Sequence, residues 1–495
     1  MPSSISSTDG DGELPIDIEK QDDHIRPHDQ CENGCPSRRK DEEQTERSPA
    51  EVAEDWQIPP EPNLNTEAEG VTGALNRVLS RISTKSSWNP GPPPDGGRVA
   101  WTACLCGHLA IMNTWGFINS FGVFQTYYVS TLGRAQSDIS WIGSIQVFLT
   151  FFIGTFTGRM TDAGFFRPVL IVGTAFMTLG IFTTSAATQY WQLILSQGIC
   201  MGLGSGFIFC PAISTVSTYF NKKRSLAIGI VACGSVTGGL VFPAMARQLL
   251  PSVGFGWAVR AIGFVQLGTL CFTILFMKSR LPPRRAGSLV EWPAFRELEY
   301  TFYAVGMFFN FWGVYFGFYY LAAFSRSASI APSLSYTDSL NLLLVLNGIG
   351  IVGRLLPNYL ADKVGPLNVM IPTCLACGAC LLAWMAVQTP AQLYGWTCVY
   401  GIAAGSLQSL FPAGLSSLTT DLRKQGTRMG MVFTIVSFAV LTGNPIAGAI
   451  IGAMDGKYFG AQGFTGACLI VGMGFLSAAR VARMRKTGEG WRVKI

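Results

Sequence analysis

Long apolar runs separated by short polar breaks fill the chain from residue 99 to residue 479. A helix that crosses a membrane needs about 20 mostly apolar residues, and twelve runs meet that requirement. We therefore predict twelve transmembrane helices, called spans 1 to 12, over residues 99–129, 138–158, 167–186, 191–216, 225–248, 256–277, 299–324, 338–358, 367–387, 392–416, 427–450 and 458–479. The longest break, residues 278–298, divides the spans into two groups of six.

The first 94 residues have the opposite pattern, because they are polar, acidic and rich in Pro, Ser, Asp and Glu. Such a segment buries too little apolar surface to offset the entropy cost of ordering, so we predict a disordered tail. The sequence near Met1 has no apolar stretch, so we do not predict a cleavable signal peptide. The predicted organisation is an acidic tail (1–94), a six-helix bundle (95–277), a linker (278–298), a second six-helix bundle (299–480) and a basic C-terminal tail (481–495).

One part of the tail, residues 75–85, has apolar residues at helical spacing with basic residues between them. This pattern is typical of a short amphipathic helix on the inner leaflet. Ser80 and Ser83 in the same stretch make a kinase another candidate partner. A nascent helix without a role is the alternative.

The composition agrees with residence in a membrane. The chain is 49% hydrophobic, and only 13% of its residues are charged. Soluble proteins carry about 25% charged residues, so the composition argues against an ordinary soluble globular protein. The predicted fold class is an all-α polytopic membrane protein, with the lipid bilayer as an expected partner.

The charges separate into two regions of opposite sign. Residues 1–99 hold 20 acidic and 10 basic residues, whereas the rest of the chain holds 10 acidic and 26 basic ones. If the N-terminus is cytosolic, 20 of those basic residues fall in inner loops and the C-terminal tail, and 5 fall outside. Because Lys and Arg concentrate in cytosolic loops, we predict that both termini and the linker are cytosolic. The basic residues form no continuous stripe, so nucleic acid is not an expected partner.

The two groups of six spans share residues at an offset of about 200. The matched positions are Asp162 and Asp362, Pro211 and Pro412, Gly229 and Gly430, Pro243 and Pro445, and residues 113–116 (Asn-Thr-Trp-Gly) and 310–313 (Asn-Phe-Trp-Gly). Five matches in one order are difficult to obtain by chance. We therefore predict that the twelve spans form two six-helix pseudo-repeats.

Two loop motifs resemble those of a known superfamily. Residues 158–164 (GRMTDAG) follow span 2, and residues 358–365 (NYLADKVG) follow span 8. Both resemble the loop signature of the major facilitator superfamily, the second with Asn358 where glycine is usual. The resemblance implies two parallel six-helix bundles with a substrate site between them, near the membrane midplane.

A narrower resemblance involves residues 94–101 (PDGGRVAW) before span 1 and residues 219–227 (YFNKKRSLA) before span 5. Both are similar to the paired signatures of the monocarboxylate transporter family, in its fungal branch. The likeness covers residues 93–485 and implies a secondary transporter of a small organic acid or related organic metabolite. We expect such a carrier in the plasma membrane. Uptake, export of a secondary metabolite, and a nutrient sensor of transporter fold all stay open.

Charged residues in or near the first two loop motifs are candidates for gating. They are Arg159 and Asp162 in the first motif, Asp362 in the second, and Arg167 shortly after the first motif. By the predicted topology they are cytosolic, where a carboxylate can pair with a cationic group at a neighbouring helix end. Alternating access requires contacts that break and re-form. The alternative is a solvated turn in which the Asp caps a helix.

Polar and aromatic residues inside the spans are candidates for binding the solute, because polar groups are costly in a membrane. The superfamily resemblance implies that spans 1 and 7 line the central cavity. The candidates are Asn113, Trp115, Asn119, Asn310, Trp312, Tyr315, Asn347 and Arg354. Asn would hydrogen-bond the solute and Trp would stack on its apolar body. Packing between helices is the alternative.

Arg354 is the one fixed charge well inside a span. Its place resembles the family's arginine in span 8, which implies pairing with a substrate carboxylate; snorkelling to the inner surface is the alternative. Proton-coupled lactate carriers of the family have an acidic residue one turn earlier, where this chain has Gly350, and a lysine in span 1, where it has Ile118 and Asn119. Proton coupling through a buried carboxylate is therefore not favoured. His108 could be proton-linked instead, or it could be a packed residue.

No pattern in the sequence indicates catalysis. Membrane-embedded enzymes usually cluster His, Asp or Glu near one face, and this chain shows no such cluster. Cys374, Cys377 and Cys380 recur every three residues in span 9 without a neighbouring His or acidic residue, so packing explains them better than a metal. We expect no catalytic residue, no metal and no cofactor.

Overall fold

The structure, a computed structural model, describes residues 91–134, 136–284, 287–327 and 329–488. These residues belong to one compact unit, Ala74–Ile495; the other unit, Met1–Gly73, lies outside the described residues. The predicted amphipathic segment at 75–85 lies outside them as well. Every regular element in the described ranges is a helix, which confirms the all-α prediction.

The first six predicted spans correspond to a series of helices with several interruptions. They are Gly97–Ile111, Phe117–Asn119 and Phe121–Leu132 in span 1, Gln136–Phe152 and Gly154–Asp162 in span 2, Phe166–Thr184 in span 3, Tyr190–Leu193 and Met201–Tyr219 in span 4, and Arg224–Ala232 and Gly234–Phe276 in spans 5 and 6. Two π-helical turns, Met112–Gly116 and Ile194–Cys200, join the pieces of spans 1 and 4. A π turn adds a residue to the helical repeat, so it changes which face the following side chains occupy.

The last six predicted spans are more regular. They are Leu298–Ser325, Tyr336–Val364, Pro366–Ala383, Pro390–Leu418, Gln425–Ala453 and Phe459–Thr487. Short 3₁₀ turns at Trp292–Arg296, Trp384–Ala386 and Leu422–Lys424 lie between them. The start of span 10 is fixed by a capping box, in which Thr389 and Gln392 bond each other's backbone N–H groups.

Nine helical stretches within the described ranges are long and apolar enough to cross a membrane. One of them, Arg224–Phe276, has 53 residues and would extend about 80 Å at 1.5 Å per residue, more than twice the ~30 Å apolar core. It therefore supplies both span 5 and span 6, with a break at Gly254, where φ is +75°. Spans 1 and 7 are not among the nine. Polar residues lower their mean hydropathy, among them His108 and Asn113 in span 1 and five Tyr residues in span 7.

The beginning, the middle and the end of the described chain meet on one face of the bundle. Arg280 in the linker donates to the carbonyl oxygen of Thr218 (2.9 Å) and to that of Gly91. Lys486 near the end of span 12 bonds Glu299 at the start of span 7 (2.6 Å). We call this the terminal face. The other ends of the spans form the opposite face.

The two groups of six spans contact each other closely toward the terminal face. In spans 2 and 11, a Cβ added at Gly158 would overlap the backbone of Gly426, and one added at Gly430 would overlap the backbone of Gly154. In spans 5 and 8, a Cβ at Gly229 would overlap the carbonyl oxygen of Arg354. Glycine at these positions lets helix backbones approach where any side chain would hold them apart.

Candidate functional site

Asp162 ties the end of span 2 to the first turn of span 11. Its carboxylate accepts hydrogen bonds from the backbone N–H of Gly426 (2.9 Å) and of Thr427 (2.7 Å), and from the Thr427 hydroxyl (2.7 Å). The first N–H groups of a helix have no partner within the helix and carry a partial positive charge. A carboxylate from one group of six spans thus caps a helix of the other.

Asp362 makes the corresponding contact in the opposite sense. It follows span 8, and its carboxylate accepts from the backbone N–H groups of Ser225 (2.8 Å) and Leu226 (2.9 Å), in the first turn of span 5. The two Asp residues matched by the 200-residue repeat therefore form two reciprocal helix caps across the terminal face. We call Asp162, Asp362 and the helix starts that they cap the terminal lock.

The other two gating candidates occupy different environments. Arg159 donates to the carbonyl oxygens of Gly287 (3.0 Å from Nη2) and Arg284 (3.2 Å from Nη1), both in the linker. Arg167 is exposed at the start of span 3. The structure thus brings Asp162 and Asp362 to the interface between the halves and Arg159 to the linker.

The linker is itself fastened to the start of span 11. Glu291, which is 5% exposed, pairs with Lys424 and with Nε of Arg428 (3.4 Å), and Glu297 pairs with the same Arg428. Burial lowers the pKa of the Arg280 guanidinium in the same segment, although an arginine so bonded stays charged. The linker is a packed element of the terminal face and contributes to its closure.

A vestibule of about 440 Å³ opens on the opposite face. It lies between spans 1, 2, 7 and 8, and its walls include Trp115, Asn119, Tyr315, Arg326 and Asn347. A volume of this size is within the range of small-molecule sites, about 300–1,000 Å³. The molecule is therefore closed at the terminal face and open at the other.

A smaller cavity of about 50 Å³ lies deeper in the bundle. Arg354 and Gln408 line it, and it shares Trp115, Asn119 and Tyr315 with the vestibule. The rings of Trp115, from span 1, and Tyr315, from span 7, are parallel within 1°, with centroids 6.2 Å apart. This ring pair stands at the boundary between the two cavities.

Below the ring pair, aromatic side chains pack in the centre of the bundle. Phe151 contacts Trp115 (centroids 5.1 Å apart) and Phe433 (5.5 Å), and Phe209 stacks on Phe433 at 5.0 Å. Because these rings come from spans 2, 4 and 11, they fill the space between the two halves. This packing continues the closure from the terminal face to the deep cavity.

Arg354 is buried at 2% exposure beside the deep cavity. Its Nη2 donates to the Gln408 side-chain oxygen at 3.1 Å. Among the described residues, no carboxylate lies within 4 Å of its guanidinium. A buried cation without an anion is costly, and an anion in the deep cavity would reduce that cost.

The charged residues that line the two cavities have one sign. Arg326 lies in the vestibule wall and Arg354 in the deep cavity, and no Asp or Glu is present among the described lining residues. A cleft lined by one sign of charge raises the local concentration of ions of the other sign. Organic anions fit this lining better than cations.

The remaining substrate-binding candidates lie away from both cavities. Asn113 is buried and bonds the carbonyl oxygen of Leu109 (2.7 Å) and the Thr269 hydroxyl of span 6 (2.9 Å). Asn310 bonds the carbonyl oxygen of Gly306 at 2.8 Å, within its own helix. The described cavities are lined by neither of these two residues.

Trp312, the second tryptophan of the repeated tetrapeptide, faces spans 11 and 12. Its indole N–H donates to Thr442 at 3.1 Å, and its ring contacts Phe464. The cavity-facing residues instead repeat at an offset of 200, with Ile111 and Trp115 in span 1 and Phe311 and Tyr315 in span 7. Helical spacing at that offset is the signal by which Phe311, which sequence reasoning missed, could have been found.

His108 lies between spans 1 and 5. One ring nitrogen is 2.8 Å from the carbonyl oxygen of Ile230, which requires a donor, and the other is 3.1 Å from the Thr237 hydroxyl. Nδ1 donates to that carbonyl oxygen, whereas Nε2 and the Thr237 hydroxyl, which also donates to the carbonyl oxygen of Cys233 (3.3 Å), can each take either role. These contacts favour the packed alternative over the proton-linked one, and the next experiment tests the two.

We expect His108→Gln to lower stability by about 1 kcal/mol through altered hydrogen bonds and to leave the pH profile of transport unchanged. The reason is that both ring nitrogens already have partners between packed helices. Transport rates at pH 5 to 8 in proteoliposomes, with thermal unfolding as the folding control, check this. Loss of the pH dependence in the variant would instead support proton linkage.

Comparisons with known proteins agree with this architecture. The family model described as Major Facilitator Superfamily matches residues 104–441. An MFS-type transporter of Gibberella zeae is 62% identical over 410 residues, which cover 83% of this chain and 91% of that protein. The Aspyridones efflux protein apdF of Emericella nidulans is 32% identical over 404 residues, covering 81% of this chain and 82% of that protein.

Solved structures show the same fold. The human organic anion transporter MFSD10 (TETRAN) superposes with a TM-score of 0.61 over 76% of this chain and 98% of its own, at 14% identity. The relatives are transporters rather than enzymes. A family model that matches most of the chain and relatives that match it along most of their length show that the chain belongs to the major facilitator superfamily.

Proposed function

We propose that this transporter exports a small organic acid, or a related weakly acidic metabolite, by alternating access between its two six-helix halves. The observation that carries the proposal is Arg354, a buried cation beside the central cavity with no carboxylate partner among the described residues. A substrate carboxylate would supply the missing charge through two parallel hydrogen bonds. Arg326 in the vestibule wall adds attraction for the same charge.

Export is supported by the relatives. One relative that is 32% identical along most of its length is named as an efflux protein for aspyridones. If the opposite face is extracellular, the conformation with the open vestibule is the one from which an exporter would release its solute. We propose for this chain the same class of activity, export, and we do not propose the same substrate.

The proposed orientation places the terminal face in the cytosol of a cell whose plasma membrane holds the protein. The 20 basic residues of the predicted inner segments against 5 outside support it. In this orientation the terminal lock of Asp162 and Asp362 is the cytosolic gate. The lock must open before a solute from the cytosol can reach Arg354.

We also propose membership of the monocarboxylate-transporter-like family. Its two signatures, 94–101 and 219–227, contact each other in the structure. The Asp95 carboxylate accepts from the backbone N–H groups of Asn221 (2.5 Å) and Lys222 (2.6 Å). A pair of signatures that fits together in space supports a shared origin better than either motif alone.

Arg354→Gln tests the proposed function. We expect cells that carry this variant to retain the same acidic metabolite that gene deletion retains, with export reduced about tenfold or more, because a charge-assisted hydrogen bond contributes roughly 1.5–3 kcal/mol. An untargeted comparison of metabolites inside and outside the cells measures this. Arg485→Gln, an exposed cation at the end of span 12, is the matched control.

Two results would contradict the proposal. One is export of a neutral hydrophilic solute that Arg354→Gln leaves intact. The other is an equal loss of export in Arg354→Gln and Arg485→Gln, which would point to expression rather than binding. Surface expression of each variant is measured in the same cells.

A further inference from the structure

The ring pair of Trp115 and Tyr315 has properties that the organic-acid proposal does not require. The two rings come from different halves, are parallel within 1°, and line both the vestibule and the deep cavity. A solute that reaches Arg354 from the vestibule must pass this pair or lie between its rings. The pair therefore determines the shape of the part of the solute next to the acidic group.

The volumes of the two cavities limit how the solute is placed. The deep cavity, at about 50 Å³, has room for a few water molecules at about 10–15 Å³ each, and so for a carboxylate but not for a carbon skeleton. The vestibule, at about 440 Å³, has room for the skeleton. The acidic group thus lies below the ring pair and the body of the solute above it.

The segment that joins these two parts must be flat. Two parallel rings hold a third at a centroid separation of about 7 Å, twice the 3.5 Å contact distance between carbon atoms. The spacing between the two ring planes cannot exceed the observed centroid separation of 6.2 Å, so the halves must move apart by at least about 1 Å to admit a planar ring. A saturated ring is thicker and would need a larger movement.

Two unpaired polar atoms also point to a ligand at this level. Trp115 is 8% exposed, and its indole N–H is buried without a hydrogen-bond partner among the described residues. The side-chain oxygen of Asn347, a vestibule residue, is unpaired in the same way. Unpaired buried donors and acceptors are uncommon in proteins, and both residues belong to the lining of the vestibule.

We propose that Trp115 and Tyr315 form a clamp that selects planar conjugated acids, in which an aromatic ring lies between the two side chains and its acidic oxygen reaches Arg354. The proposal rests on the proposed function and adds a substrate class to it. Because each half supplies one ring, a bound planar solute contacts both halves at once. Binding would then favour the conformations in which the rings remain parallel.

Two acids of the same skeleton and charge test the clamp. They are 2-naphthoic acid, which is planar, and decahydro-2-naphthoic acid, which is saturated and puckered. We expect the purified full-length protein to bind the planar acid about tenfold more tightly in titration calorimetry, because stacking on aromatic faces adds affinity beyond buried area. Tyr315→Leu and Trp115→Leu should bring the ratio of the two dissociation constants close to one.

Conservative variants keep the test valid if a leucine variant unfolds. Tyr315→Phe and Trp115→Phe retain a ring, so they should retain the preference for the planar acid. Phe176→Leu is the matched control, because Phe176 and Phe207 form another nearly parallel pair (6.1 Å, 6°) that lies outside both cavities. The Phe176→Leu variant should bind each acid as tightly as the unmodified protein does.

Arg354→Gln separates failure of the clamp from failure of the proposed function. Suppose that Arg354→Gln weakens the binding of both acids and that the unmodified protein binds the two acids equally tightly. The acid site is then supported and the clamp is overturned. If Arg354→Gln weakens neither acid, the organic-acid function itself is wrong. Absence of binding by either acid, or an unchanged preference in Tyr315→Leu and Trp115→Leu, also overturns the clamp.

Discussion

Replacing Asp162 and Asp362 together by alanine is expected to open the terminal face and to reduce transport more than tenfold. The double variant removes five hydrogen bonds that carboxylates accept across the two halves. Charge-assisted bonds contribute roughly 1.5–3 kcal/mol each, and a change of about 1.4 kcal/mol already alters a two-state population tenfold. The protein should therefore shift from the conformation with an open vestibule to the conformation with an open terminal face.

A thiol at the vestibule measures this shift directly. Ser130, a vestibule residue, is replaced by cysteine, and its rate of modification by a maleimide is followed in purified protein against the same protein without that cysteine. We expect the rate to fall in the double Asp variant as the vestibule closes. Asp421→Ala is the matched control, because this exposed carboxylate near the start of span 11 accepts from the backbone N–H of Arg423, a neighbour in its own loop. A double variant with unchanged labelling and transport would show that the lock does not hold the terminal face closed.

The helices could be predicted from apolar runs because a lipid bilayer leaves the backbone few alternatives. With no water to bond its N–H and C=O groups, a spanning segment must satisfy them internally, as a helix does. Apolar runs do not predict where a helix is interrupted. The π turn at Met112–Gly116 depends on packing against other spans, since Gly116 lies against Gly238 and a Cβ at Gly238 would overlap the backbone of Met112.

The site could also be predicted only in part, because it too depends on how the spans pack against each other. Hydropathy and motif matching identify Trp115, Tyr315 and Arg354 as candidates, and the structure places all three around the cavities. The tetrapeptide repeat also selects Asn310 and Trp312, which face other helices. A match in sequence does not specify the rotation of a helix about its axis, and that rotation determines which side chains reach a cavity.

The partners of the loop carboxylates show a related limit. The motif predicts that Asp162 meets a cationic group at a neighbouring helix end. The structure provides backbone N–H groups of Gly426 and Thr427 instead, whose partial positive charge has the same electrostatic effect. No side-chain pattern marks such a partner, so the sequence indicates the accepting carboxylate but not the N–H groups that donate to it.

Alanine at Gly158 and Gly430 is expected to abolish most transport while the protein remains folded. In a helix, Gly→Ala is favourable by about 1 kcal/mol, so local propensity alone predicts a more stable protein. Here each new Cβ would overlap the backbone of the facing helix, at Gly426 and Gly154. Spans 2 and 11 must then move apart at the terminal face, and because interfaces of this kind have two discrete arrangements, we expect the open one to dominate rather than an unfolded chain.

Three measurements on the double glycine variant decide between these effects. Thermal unfolding should stay close to that of the parent, maleimide labelling of cysteine at Ser130 should slow, and transport should fall by about tenfold or more, as expected for a population shift above 1.4 kcal/mol. Gly268→Ala in span 6, where a Cβ meets no atom within 4 Å, should transport normally and unfold at the same or a higher temperature. Normal transport by the double variant would mean that spans 2 and 11 do not need this close contact, and a large loss of thermal stability would mean that glycine there serves folding rather than the change between two states.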